Sequence, residues 1–187
     1  MLVSDFRFEE IDLNNAFCIS PFDFADNRGE LVKVFSAELY KEKGIDISIS
    51  EVLIINSKKN VLRGIHFQKN KPVEKLITCL SGCLYAVVLD IDKTRESCGK
   101  WKAITLQQGE QLFVPKGCAL GTYAVEDSSM LCINGEKMIP GYDTGIRWND
   151  STISVRWPCY DLGIQPIVSE KDKSLLSFSD YLNDKTN

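Results

Sequence analysis

Between Val52 and Trp157 the chain is a succession of short apolar and β-branched runs, each cut off by a turn signal, and few folds accommodate that rhythm. Val52–Ile55 is one such run. Leu76–Cys79 and Leu84–Asp90 flank Ser81-Gly82, Ala103–Leu106 and Gln111–Val114 flank Gln108-Gly109-Glu110, and Tyr123–Val125 and Met130–Ile133 flank Glu126–Ser129. Each of these three pairs is expected to form a hairpin. In Thr152–Trp157 the residues Ile153, Val155 and Trp157 alternate with Thr152, Ser154 and Arg156, the pattern of a half-buried strand. Strands recurring about every ten residues, with little helix between them, predict an all-β sandwich or barrel rather than an α/β sheet. Helix belongs to the edges: Ser36–Lys43, stopped by Gly44, and the tail after Ser169, where Leu175, Phe178 and Leu182 fall on a helical spacing. Asn183–Asn187 are polar and expected to fray.

A chain of 187 residues predicts one domain, 1–187. With 22 basic and 26 acidic residues it has no electrostatic footprint for nucleic acid. No apolar run reaches the roughly 18 residues that a membrane helix needs. Met1–Glu10 has no apolar core and is not expected to be a signal peptide, so a cytoplasmic location is anticipated. The 7 cysteines are odd in number and include no C-x₂-C pair, which fits reduced thiols; Cys79 and Cys83 read as small core residues. A count of 1 histidine excludes a multi-histidine metal site built within one chain, and no metal or other cofactor is expected.

That histidine lies in Val61-Leu62-Arg63-Gly64-Ile65-His66-Phe67-Gln68. A lone histidine between Ile and Phe is more often structural than catalytic. Strict alternation along a strand would put Arg63 and His66 on opposite faces. Gly64 offers a bulge that would turn both inward, and an Arg and a His converging on one site suit an anionic substrate and a proton transfer.

This stretch resembles the signature of the dTDP-4-dehydrorhamnose 3,5-epimerase family, the RmlC-like cupins of nucleotide-sugar metabolism. The resemblance continues in order through Phe24-x-Asp26-x-Arg28-Gly29, Pro72-x-x-Lys75-Leu76-Ile77, Gly82, Val87-x-x-Asp90, Gly99-x-Trp101, Val114-Pro115-x-Gly117, Ile146-x-Trp148-Asn149-Asp150, Trp157-Pro158 and Ser169-x-Lys171-Asp172. It implies a cupin-type jelly-roll β-barrel with short peripheral helices, one near the C-terminus, and a homodimer that exchanges N-terminal strands without metal. It also implies roles: His66 removes the proton alpha to a C4 ketone, and Asp172 orients the ring and stabilises the imidazolium. Arg28, Arg63, Lys75 and Lys171 match positions that bind the nucleotide sugar, Arg28 reaching the neighbouring subunit's site. Ser169-Glu170-Lys171-Asp172 is equally a helix-capping pattern, and a cap would fix where Asp172 points.

The chain departs from the family at four places. Leu120 stands where the family has a second histidine, in Pro115-Lys116-Gly117-Cys118-Ala119-Leu120-Gly121. The family's catalytic tyrosine falls at Cys132 or Ile133, depending on a one-residue gap. Met138 replaces a second tyrosine ahead of Ile139-Pro140, and Ala86 an aspartate. Inverting a stereocentre needs deprotonation on one face and reprotonation on the other, so a bound water, Cys132, Tyr123 or Tyr142 must supply the second step. The expected activity is epimerisation at C3 of a nucleotide-linked 4-keto-6-deoxyhexose through an enolate, in deoxysugar synthesis for surface polysaccharide such as O-antigen. The competing readings are a full 3,5-epimerase with a substitute acid, a 3,4-ketoisomerase, for which two histidines are usual, and an inactive sugar-nucleotide-binding homologue.

Overall fold

The computed structural model describes residues 2–184. Its strands are β1 (Leu2–Ser4), β2 (Arg7–Glu10), β3 (Phe17–Ser20), β4 (Phe22–Asp26), β5 (Gly29–Lys33), β6 (Glu51–Ser57), β7 (Leu62–Gln68), β8 (Lys75–Ser81), β9 (Leu84–Asp90), β10 (Trp101–Leu106), β11 (Gln111–Val114), β12 (Cys118–Ala124), β13 (Ser128–Asn134) and β14 (Asp143–Gly145). Helix α1 (Ala37–Glu42) falls between β5 and β6, and α2 (Pro158–Asp161), α3 (Glu170–Lys173) and α4 (Phe178–Asn183) lie in the tail. Two antiparallel sheets face each other, one of 5 strands in the order β10-β9-β12-β7-β14, the other of 6 in the order β2-β3-β11-β8-β13-β6. A separate sheet of 3 strands has the order β1-β4-β5. This is the expected all-β jelly roll, with the two large sheets stacked and not joined into one closed ladder.

None of the three expected hairpins is a hairpin. β8 and β9, β10 and β11, and β12 and β13 each lie on opposite sheets, so every one of these turns is a corner. Turn chemistry fixes where a chain reverses; the sheet that the next strand joins is fixed by the core it can share. After Ser81-Gly82 the chain crosses over, and Ile77 and Cys79 of β8 then meet Leu84, Ala86 and Val88 of β9 in one cluster between the sheets. The corner is tight. Gly82 has φ +76°, and a β-carbon there would sit 2.3 Å from the Asp127 carbonyl oxygen.

The outer faces of both sheets are also covered. Ile65, Phe67, Val87, Leu89 and Tyr123 pack against Ile153, Val155, Trp157, Phe178 and Tyr181 from the tail. Ile19, Leu76, Phe113 and Ile133 pack under Tyr40, Ile45 and Ile47 from α1 and the loop after it. Strands buried on both sides need apolar residues at successive positions, which is why β8, β9 and β12 read as continuous runs.

Thr152–Trp157 is a second correction. Its alternation is real, with Ile153, Val155 and Trp157 buried, but the segment joins no ladder and Ser154 turns to φ +50°. The Asp150 carboxylate organises it instead, accepting from the Thr152, Ile153 and Phe178 amides at 2.9–3.1 Å. The tail after Ser169 is broken into α3 and α4, so Tyr181 rather than Leu182 faces the core. Of the expected frayed end, Asn183 closes α4, and Lys185–Asn187 lie outside the described residues.

Candidate active site

The bulge expected at Gly64 is present. β12 pairs with β7 as Leu120↔His66 and then Thr122↔Arg63, with the register shifting between them. Gly64 and Ile65 therefore oppose Gly121 alone. Gly64 has φ +112°, and a β-carbon there would lie 2.8 Å from the Leu120 carbonyl oxygen, so glycine is the residue that fits. The extra residue resets the alternation: Leu62, Ile65 and Phe67 enter the outer core, while Arg63 and His66 both line a cavity between the sheets.

His66 Nε2 lies 2.7 Å from Asp172 Oδ1, and the other carboxylate oxygen accepts from the Gly64 amide at 3.1 Å. Ser169 caps α3 by accepting from the Asp172 amide at 3.1 Å, so the capping and the orienting readings of this segment hold together. Burial works to raise the Asp172 carboxyl, but the bonds from His66, Gly64 and Ser169 outweigh it and the group is held below its ordinary 3.8. An ionised carboxylate only accepts, which puts the imidazole proton on Nε2 and leaves the Nδ1 lone pair free as a base. Asp172 is 5% and His66 25% exposed at the side chain, a covered orienting group behind an accessible ring.

A depressed carboxylate stabilises the fold above its unfolded pKa and loses that contribution as pH falls through the lower folded value. Asp172→Asn should therefore cost stability at pH 7, and the deficit should shrink as both proteins are acidified below about pH 4. Urea unfolding of the pair at pH 7 and pH 3 measures this. An equal deficit at both values would refute the linkage.

The cavity encloses about 290 Å³, near the lower end of small-molecule sites, which run roughly 300–1,000 Å³. One wall, from β7 and β12, carries His66, Arg63, Leu120 and Thr122; the facing wall, from β8 and β13, carries Lys75, Met130, Cys132 and Asn134. The Lys75 ammonium makes no hydrogen bond or ion pair among the described residues, and burial lowers its pKa, with the nearby Cys132 and Asp143 acting against that. Arg63 is steadied by bonds from its Nε to Ser57 Oγ (3.0 Å) and from a terminal nitrogen to the Asn56 carbonyl (3.1 Å). Lys171 stands at the rim, ion-paired with Asp143. Arg28 does not join them: it sits at the β4–β5 tip, 80% exposed and paired with Asp26.

On the wall facing His66, Cys132 lines the cavity and Ile133 packs in the outer core, so of the two candidate positions Cys132 is the one at the site. Tyr123 is excluded as a substitute because its hydroxyl bonds Asn60 from the other side of the sheet, and Tyr142 does not line the cavity. Leu120 and Ala86 lie in one apolar cluster between the sheets, so these two departures from the family pattern fall side by side in the core.

The family model for dTDP-4-dehydrorhamnose 3,5-epimerase matches residues 10–180. This chain belongs to that family. Curated relatives of that name include one from Methanothermobacter thermautotrophicus, 31% identical over 92% of this chain and 94% of its own length. The Escherichia coli relative is 31% identical over 91% and 94%. Among solved structures, the Legionella pneumophila epimerase in complex with dTDP-4-keto-L-rhamnose superposes with a TM-score of 0.88 at 26% identity, covering 94% of each chain. A 3'-monoepimerase from Streptomyces bikiniensis shares the fold, at 20% identity and a TM-score of 0.83 over 90% of this chain and 86% of its own. Family membership brings an epimerase activity, and the polar cluster around His66 is the candidate site for it.

Sequence reasoning named His66, Asp172, Arg63 and Lys75 but missed Thr122, Asn134 and Asp143 as lining groups. The alternation Met130–Cys132–Asn134 was the signal for one of these. Asp143 carried none, since its place follows from pairing with Gln68 across β14 and β7.

Proposed function

We propose that the protein epimerises a nucleotide-linked 4-keto-6-deoxyhexose at C3. The observation that carries this is the His66–Asp172 pair, 2.7 Å apart, opening onto a cavity with a lysine on the facing wall. His66 Nδ1 takes the C3 proton, the charge moves to the C4 oxygen as an enolate, Lys75 stabilises that oxygen, and a proton returns from the opposite face. Arg63 and Lys171 bind the diphosphate, a task suited to a cationic rim. The chemistry is complete with side chains and uses no cofactor. The dTDP carrier is favoured by the sugar nucleotide named for the Legionella relative, and the product serves deoxysugar synthesis for surface polysaccharide in the cytoplasm. The family's own name favours a second reading, inversion at both C3 and C5. Incubation with dTDP-4-keto-6-deoxyglucose in D₂O, followed by proton NMR, tests both: deuterium entering at C3 supports the epimerase, and no exchange at either carbon would leave only a binding protein.

A homodimer exchanging N-terminal strands is part of the proposal. β6 ends the six-stranded sheet with Val52 55% and Ile54 64% exposed, an apolar edge of the kind that proteins normally cover. Arg28, exposed and paired only with Asp26 among the described residues of its own chain, would then serve the partner's cavity. Light scattering should give twice the mass of one chain; a stable monomer that retains full activity would refute it.

A further inference from the structure

We propose that Cys132 is the acid that returns the proton to the sugar, on the face opposite His66. This rests on the epimerase reading above and names the group that the reading leaves open.

Geometry makes the case. His66 projects from the five-stranded sheet and Cys132 from the six-stranded sheet, so a ring lying in the cavity between them has the base on one side and the thiol on the other. The Cys132 thiol is buried and donates to Asn134 Oδ1 at 3.4 Å, and both side chains line the cavity. The other lining residues on that wall offer no better donor. Met130 has no proton to give, Asn134 is an amide, and Lys75 is the cation that the enolate oxygen needs.

The step balances. His66 Nδ1 takes the C3 proton and the C–H electron pair becomes the enolate π bond. That pair then takes the Cys132 S–H proton to form the new C3–H bond on the far face, leaving thiolate and imidazolium. After product leaves, His66 loses its proton to solvent and the thiolate regains one. Burial alone raises the thiol pKa, while Lys75, close enough to act in the other direction, favours the thiolate that the step creates. A thiol that is not acidic at rest but has a cation beside it remains protonated until it is needed.

The test separates exchange from inversion. In D₂O, Cys132→Ala and Cys132→Ser should still wash deuterium into C3 of the recovered starting sugar within a few-fold of the wild-type rate, because His66 is untouched. Formation of the C3-inverted product should fall at least about 10²-fold, the contribution of a positioned acid. Circular dichroism and thermal melts of both variants confirm folding, the serine variant being the conservative check. If either folded variant inverts at the wild-type rate, Cys132 is not the acid while the epimerase reading stands. If both variants lose exchange as well as inversion, Cys132 has a structural role and the assignment falls. If the wild type shows neither exchange nor inversion, the epimerase reading itself fails and the assignment falls with it.

Discussion

His66→Asn should lower C3 exchange by about 10²–10⁴-fold, the worth of a general base, or roughly 3–5 kcal/mol of barrier. The substitution is informative because of what it keeps. Asparagine matches the Cγ–Nδ1 end of the ring but does not reach the Nε2 position, so the buried Asp172 carboxylate loses its His66 donor and keeps the Gly64 amide. The basic lone pair is lost and little volume is added or removed at the cavity wall. The melting temperature should fall modestly and dTDP affinity should stay close to wild type, while deuterium uptake at C3 collapses. Wild-type exchange in the variant would make His66 a structural residue and leave the proposed mechanism without a base.

Exchange at C3 should outpace exchange at C5 by about 10²–10³-fold, equivalent to one missing preorganised donor at roughly 3–4 kcal/mol. Both carbons flank the same ketone, so both enolates place charge on one oxygen. What differs is which C–H bond faces His66. A single base on one wall and a single acid on the other serve one carbon in one ring pose. A second pose would have to be held by polar contacts, and Leu120, Ala86 and Met138 provide none. Time-resolved NMR in D₂O gives both rates at once. Equal washout of the two protons would defeat the one-centre reading and restore the double epimerase.

The parts of the site that the sequence revealed are those encoded locally. Gly64 announced a bulge because only glycine fits a left-handed residue pressed against a neighbouring carbonyl, and Ser169 announced a cap three residues before Asp172. The pairing of strands was not legible. Ser81-Gly82 marks a reversal equally well whether the next strand lies beside β8 or across the core from it; only the distribution of apolar side chains over the whole chain decides. The segment 152–157 failed similarly, because alternating burial records which side chains are covered and not whether a ladder partner exists. Cys132 and Ile133 were inseparable for another reason: strand frame depends on the length of the turn at 126–129, and one residue there exchanges the two faces.

The three corners also govern how the molecule comes to be made. Because each turn sends the chain to the opposite sheet, β8 finds its partners only in β11 and β13, as in the pairing of Lys75 with Asn134, and β7 must wait for β12. A chain emerging from the ribosome therefore leaves β7 without a partner until β12 arrives, and β6 without one until β13 arrives. Sandwiches dominated by such distant pairings reach the native state in milliseconds to seconds rather than microseconds. The wall bearing His66 needs β12 and the wall bearing Cys132 needs β8 and β6, so the cavity between them exists only once both sheets are assembled.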